Sequence, residues 1–162
     1  MPNQEHLAKY RDLIQDIRSG MLVTEDPSLP GLRSRPMSTA KVDEHGNLWF
    51  FTKMTSAKVQ EIYHDHDVNV AYQKPSDNQF VSASGKAQLV NDDSLKEQLY
   101  SKILDAWFDG PEDPQASLIR VDVTAAEYWD DSDSNLITFA KIAAAAVSGS
   151  EYHGAENEKL SM

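Results

Sequence analysis

The sequence predicts an α+β fold dominated by β-structure: six strands and four helices in one domain, forming a mostly antiparallel barrel with peripheral helices. Three observations predict it. Strand-like runs follow one another through hairpin turns or short helices. Strands and long helices do not alternate regularly, which argues against a doubly wound parallel sheet. The clearest long run, Leu118 to Trp129, alternates apolar and polar residues, the pattern of a strand with one buried face. A chain of 162 residues can bury a sizeable core, and it carries no internal repeat.

Glu5 to Arg18 reads as an amphipathic helix, with Leu7, Tyr10, Leu13, Ile14 and Ile17 at helical spacing. Gly20 is its expected stop, since glycine adopts a left-handed backbone at no steric cost. Met21 to Thr24 is a short strand, and Glu25 to Gly31, with two prolines, is a loop. Leu32 to Val42 has strand length. Pro36 within it cannot donate to a sheet ladder, so the strand is expected at an edge, bulged, or open where something else sits. Asp43 to Asn47 is a turn, and Leu48 to Thr52 completes a hairpin. Alternation puts Trp49 and Phe51 on one face and Phe50 on the other.

Ser56 is placed to cap a short helix to His64, with Val59, Ile62 and Tyr63 facing inward. Val68 to Gln73 is a strand, Lys74 to Asn78 a turn, and Gln79 to Val90 a long strand with Gly85 at an expected bulge or close approach. Asn91 and Asp92 can cap a helix to about Trp107, ended by Gly110 and Pro111. Leu118 to Trp129 is the second long strand. A last, alanine-rich helix is expected over Leu136 to Val147. The barrel domain is thus residues 1–148, and residues 149–162, polar and poor in large apolar side chains, read as a mobile tail.

Charge narrows the function. The net charge is −11, which argues against nucleic acid or an anionic membrane as the main partner. Residues 31–60 nevertheless hold Arg33, Arg35, Lys41, Lys53 and Lys58 against Asp43 and Glu44, a local +3 that leaves −14 for the remainder. A basic island in an acidic chain points to a small anionic ligand; the alternative is chance fluctuation in a solvated surface. There is no cysteine, so thiol catalysis, iron–sulfur clusters and disulfides are excluded. The N-terminal stretch lacks an apolar signal core and no run reaches transmembrane length, so a cytoplasmic protein is expected.

Within the island, Arg33 and Arg35 point to one side of a strand, about 7 Å apart, a spacing that can grip a phosphate. The alternative is a solvated face paired with acidic surface. Thr52 to Lys58 crowds two threonines, a serine and two lysines into a strand-to-helix junction. A helix start presents unpaired N–H groups and the positive end of a dipole, so Ser56 and Lys58 could seat a phosphate there; an ordinary cap with a surface lysine is the alternative. His64, Asp65, His66 and Asp67 have metal-ligand chemistry but lack further ligands at a recognised spacing, so no metal site is assigned. Asp130, Asp131 and Asp133 lack the glycine and terminal glutamate of a calcium loop.

Taken in order, Arg-x-Arg-Pro-Met, Gly-Asn-Leu-Trp-Phe-Phe-Thr, Ser-Ala-Lys, Val-Ser-Ala-Ser-Gly-Lys-Ala and Ala-Glu-Tyr-Trp-Asp resemble the bacterial general stress protein branch of the pyridoxamine 5′-phosphate oxidase-like family, over about residues 5–148. The resemblance implies a six-stranded antiparallel split β-barrel that binds FMN, with FAD as the alternative, in a homodimer with two sites at the interface. It implies that the backbone of Arg35, Pro36, Met37 and Ser38 lines the isoalloxazine. Phe51 and Thr52 would contact the flavin from the neighbouring strand. Ser56 and Lys58 would hold the phosphate, assisted by Arg35 or Arg33, and Trp129 would approach from the second subunit.

The sequence departs from the oxidase members in two places. Ser56-Ala57-Lys58 stands where they carry Ser-Arg-Lys, and after Trp129 the chain turns acidic where they carry an arginine for pyridoxal phosphate. The resemblance therefore does not extend to vitamin B6 oxidase activity. It leaves a low-specificity flavin-dependent oxidoreductase, a non-catalytic flavin carrier or sensor, or the same barrel with a deazaflavin or haem. Redox chemistry would belong to the flavin, so no catalytic acid or base is nominated.

Overall fold

The computed structural model describes residues 3–28, 30–131, 147–149 and 156–162. The elements run α1 (Gln4–Ile17), β1 (Ser19–Glu25), β2 (Leu32–Val42), β3 (Leu48–Lys53), α2 (Ala57–His64), β4 (Asp67–Lys74), β5 (Gln79–Val90), α3 (Asp93–Leu99), β6 (Ala116–Asp130) and β7 (Glu156–Ser161), with 3₁₀ turns over Pro75–Asp77 and Lys102–Ala106. All pairings are antiparallel, in the order β3-β2-β1-β4-β5-β6-β7. A further pairing of β3 with β6 closes the first six strands into a barrel, as the sequence predicts, and β7 is added on the free edge of β6. Among the described residues, no helix is long and apolar enough to cross a membrane.

Each strand sends alternate side chains inward. Leu22, Phe50, Val70, Ile119 and Tyr128 fill the barrel, and Tyr10 and Ile14 of α1 pack against them. A second apolar cluster lies outside β3, where Trp49 and Phe51 pack on Phe108, Ala116 and Leu118. The expected split of the aromatics between two faces of β3 is therefore observed. Gly85 sits at a register shift between β5 and β6, where a Cβ would lie 2.1 Å from the Asp122 carbonyl oxygen. The bulge forms where only a hydrogen lets the strands approach.

Four expectations need correction. Arg18, not Gly20, takes the positive φ that ends α1. Gly20 lies within β1, where a Cβ would meet the Tyr72 ring at 2.9 Å, so the glycine serves a close approach and not a helix stop. The helix expected from Asp92 to Trp107 stops at Leu99 and resumes only as a 3₁₀ turn. Its break lets the Tyr100 ring stand edge-on to Phe51, 5.7 Å between centroids. Tyr63 is exposed, and Glu61 takes the inward position on α2.

Finally, residues 156–161 of the expected tail form a strand. The backbone of Ala125 to Asp130 pairs with them, Leu160 is buried in the barrel core, and Tyr128 donates its hydroxyl to Glu156 at 3.1 Å. The strand supplies partners to an edge that would otherwise be bare. The helix expected over residues 136–147 falls almost wholly outside the described residues.

Candidate functional site

The barrel is split at one seam. β2 pairs with β1 from Ser38 back to Leu32, but with β3 only from Thr39 to Val42, where the register also shifts. β3 meanwhile stays on β6 down to Lys53. From Thr39 and Phe50 onward the two strands diverge, which leaves Arg33 to Ser38 with a backbone edge that has no β3 partner. Pro36 lies in that stretch, opposite Met21 of β1. This is the opening that a proline within a strand foreshadowed.

The junction of β3 and α2 stands at the same seam. Ser56 occupies the N-cap position with extended backbone but makes no side-chain cap bond. Its hydroxyl lies 3.1 Å from that of Thr52, which is buried at the end of β3. The first amides of α2 are therefore not consumed by a serine cap. Lys58, half-buried in the first turn, makes no ion pair among the described residues. Burial pushes its ammonium below the usual lysine range, and the guanidiniums of Arg35 and Arg33 push the same way, against the attraction of Glu61.

Arg33 and Arg35 do lie on one side of β2, with half of the Arg33 side chain exposed and 15% of the Arg35 side chain. Both meet Glu61 of α2. Arg33 Nη1 is 3.3 Å from its Oε1 and 3.9 Å from an Asp26 oxygen, while Arg35 Nη2 binds its Oε2. The pairing with acid that the sequence left as an alternative is present, but with a buried carboxylate instead of a solvated surface. Three cations, Arg33, Arg35 and Lys58, still outnumber the two carboxylates, Glu61 and Asp26, and Lys58 has no ion-pair partner among the described residues.

Other residues named from the sequence have separate places. Met37 points into the barrel core, so what it can offer the seam is backbone, and Ser38 is exposed. The Phe51 ring is held between Tyr100 and Phe108, so its contribution to the seam is also its main chain. Trp129 is half-buried on β6, opposite Phe80 and Asn157. From Ser117, which faces Thr52, to Trp129 is about 40 Å of strand path, so one copy of the chain does not bring Trp129 to its own seam. Sequence reasoning missed Thr24, Asp26 and Glu61. The one local signal was the spacing of Lys58 and Glu61, three apart on one helix face.

Comparison with known proteins agrees with this fold. The model of the family described as pyridoxamine 5′-phosphate oxidase like matches residues 5–153. The protein bli-3 of Neurospora crassa is 30% identical over 159 residues, covering 92% of this chain and 76% of that protein. The crystal structure of general stress protein 26 from Bacillus anthracis superposes with a TM-score of 0.70 at 26% identity, covering 80% of this chain and 96% of that one. The general stress FMN/FAD binding protein from Xanthomonas citri gives the same TM-score and identity, covering 82% and 93%. With a closed six-stranded barrel split at the expected seam and a family match over nearly its whole length, the chain belongs to the pyridoxamine 5′-phosphate oxidase-like family.

Proposed function

We propose that the protein binds FMN, or the related FAD, in the seam between β2 and β3, with a phosphate seated at the start of α2. One observation carries this reading. In a chain of net charge −11, Lys58 has no ion-pair partner among the described residues and sits half-buried near Arg35 and Arg33; burial first, and then those guanidiniums, push its ammonium down against the pull of Glu61. A phosphate dianion would relieve the repulsion. The Ser56 and Thr52 hydroxyls and the first amides of α2 are donors of the type such an anion needs. The unpaired edge of β2, Arg35 to Ser38, would meet the ring with backbone, and the main chain of Phe51 and Thr52 would meet it from the other side. The Xanthomonas citri relative binds the same class of cofactor by its description. Bound flavin would supply the redox chemistry; this chain's residues bind and orient it.

The same reading includes a homodimer. The outer face of the sheet carries two rows with few charges: Met21, Ala71, Ser82 and Glu127, then Val23, Asn69, Ser84 and Ala125. Small side chains there let a second copy approach closely. Trp129 lies on the same outer face as Ala125 and Glu127, so it is available to a partner's seam although not to its own.

The test is a titration of FMN into the purified protein, followed by quenching of flavin fluorescence. Saturable binding at micromolar concentration, with a perturbed visible spectrum, is the expected result. No quenching at that concentration overturns the reading. A second reading, a flavin carrier or sensor without turnover, is favoured by the lack of a dinucleotide fingerprint in the sequence. Steady NAD(P)H oxidation by the loaded protein would exclude it.

A further inference from the structure

Glu61 is the most buried charged group at the seam, 3% exposed, and the reading above gives it no role. Both its oxygens are engaged. Oε2 accepts the Thr24 hydroxyl at 2.6 Å and Arg35 Nη2, and Oε1 accepts Arg33 Nη1 at 3.3 Å. Arg35 is gripped a second time, because its Nη1 donates to Thr24 Oγ1 at 2.6 Å and to the Leu22 carbonyl at 3.5 Å. Thr24 thus accepts from Arg35 and donates to Glu61, which closes a ring of three hydrogen bonds.

The consequence lies in the shape of a guanidinium. It is planar, with five N–H donors in a fixed fork. Here its far end, Nη1 and one Nη2 proton, is held by Thr24, Leu22 and Glu61. Its side edge, Nε–H and the second Nη2 proton, meets no partner among the described residues. Those two N–H bonds are parallel and match two oxygens of one phosphate. Fixing the far end fixes where the side edge points. Glu61 also lies on the same helix as Lys58, three residues on, so one short element carries both the brace and the neighbouring ammonium.

We propose that Glu61 is a positioning residue for the anion seat: it holds Arg35 in the plane in which the guanidinium's side edge engages a phosphate monoester, with Thr24 as the second brace. The inference rests on the flavin-phosphate reading. It also opposes simple electrostatics. If Glu61 were only a counter-charge, its neutralisation would leave the seat more positive and tighten anion binding. If it positions Arg35, neutralisation loosens the guanidinium and weakens binding.

The experiment compares FMN with riboflavin, which has the same ring without the phosphate. Dissociation constants for both are measured by fluorescence quenching on wild type, Glu61→Gln and Thr24→Val. The expected result is a loss of FMN affinity of about tenfold or more in Glu61→Gln and a smaller loss in Thr24→Val, with riboflavin affinity within about twofold of wild type in both. A purely structural role would not change the FMN-to-riboflavin ratio. Unchanged or tighter FMN binding in either variant overturns the inference, as does an equal loss for both ligands. Should Glu61→Gln not fold, Thr24→Val decides alone by the same criteria. A wild-type protein that binds neither flavin fails the underlying reading before any variant is measured, so the two failures are distinguishable.

Discussion

The hydroxyls of Thr52 and Ser56 lie 3.1 Å apart across the joint between β3 and α2. A serine at a helix N-cap ordinarily turns its oxygen onto the helix's own amides, and this one does not. Its hydroxyl is left at the joint from which the seam opens, two residues before Lys58. Replacing both Ser56 and Lys58 by alanine is therefore expected to cost ligand binding and not folding. Two charge-assisted hydrogen bonds to a phosphate amount to on the order of 3 kcal/mol or more, above a hundredfold in the FMN dissociation constant. The melting temperature without flavin should move by only a degree or two. A collapse of the flavin-free protein would make these residues structural caps.

The lowered Lys58 proton affinity gives a pH signature. In the free protein its ammonium loses its proton below the usual lysine range because of burial and the two nearby guanidiniums. A bound phosphate dianion favours the charged form and raises that value again. As pH rises through the free protein's Lys58 value, the complex keeps a proton that the free protein has lost, so binding must take one up and affinity falls. FMN affinity should decline with pH in this alkaline range, riboflavin affinity should not, and Lys58→Met should remove the difference. Isothermal titration in two buffers of different ionisation enthalpy measures the proton uptake directly.

The sheet was largely legible because its signals are local. The bounds of β2 follow from a stretch of strand length between Gly31 and the Asp43 to Asn47 turn, and Pro36 marks the length with no β3 partner. The bulge at Gly85 follows from a lone glycine inside an alternating strand. What escaped depends on contacts distant in sequence. Glu61 faces inward because it meets two arginines more than 25 residues away, and no helical periodicity encodes that. The apolar spacing from Leu95 to Trp107 suits one helix, yet Tyr100 leaves it to pack on Phe51, and its hydroxyl binds Asp105 at 2.7 Å. β7 reads as a polar tail because Glu156 to Lys159 is charged or amide throughout, as an edge strand can be.

Gly85 tests the close strand approach that shapes β5 and β6. A Cβ built there lies 2.1 Å from the Asp122 carbonyl oxygen and 2.8 Å from the Val123 Cα. Both are backbone atoms, which a rotamer change cannot move. Gly85→Ala should destabilise by about 3 kcal/mol, seen as a lower denaturant midpoint with unchanged slope. Gly20→Ala meets a ring that can shift slightly and should cost less.

The outward rows of the sheet predict the assembly state. Ala71 is exposed and lies between Met21 and Ser82 across the face. In a two-fold dimer built on this face, Ala71→Glu would bring two added carboxylates into one interface. Light scattering should report a dimer for wild type and a shift towards monomer for the variant, with the fold intact by circular dichroism. A wild-type monomer would end the dimer reading. It would also leave Trp129 without a route to any seam.

β7 makes the last prediction, and the sequence alone would have argued its opposite. Were residues 156–162 an unattached tail, Leu160→Ala would change nothing measurable. Leu160 is instead buried with the barrel core, opposite Ala126, and Met162 donates its backbone N–H to the Thr124 carbonyl at 3.1 Å. Removing the Leu160 side chain deletes buried methyl groups and leaves a cavity, at a cost of about 2–4 kcal/mol. Lys159→Ala, an exposed neighbour on the same strand that faces Glu127, should cost under about 0.5 kcal/mol. Urea unfolding of the two variants separates the cases. A large loss at Leu160 beside a negligible one at Lys159 is the pattern of a strand with one buried face, and equal, negligible losses would mean that β7 does not hold to β6 in solution.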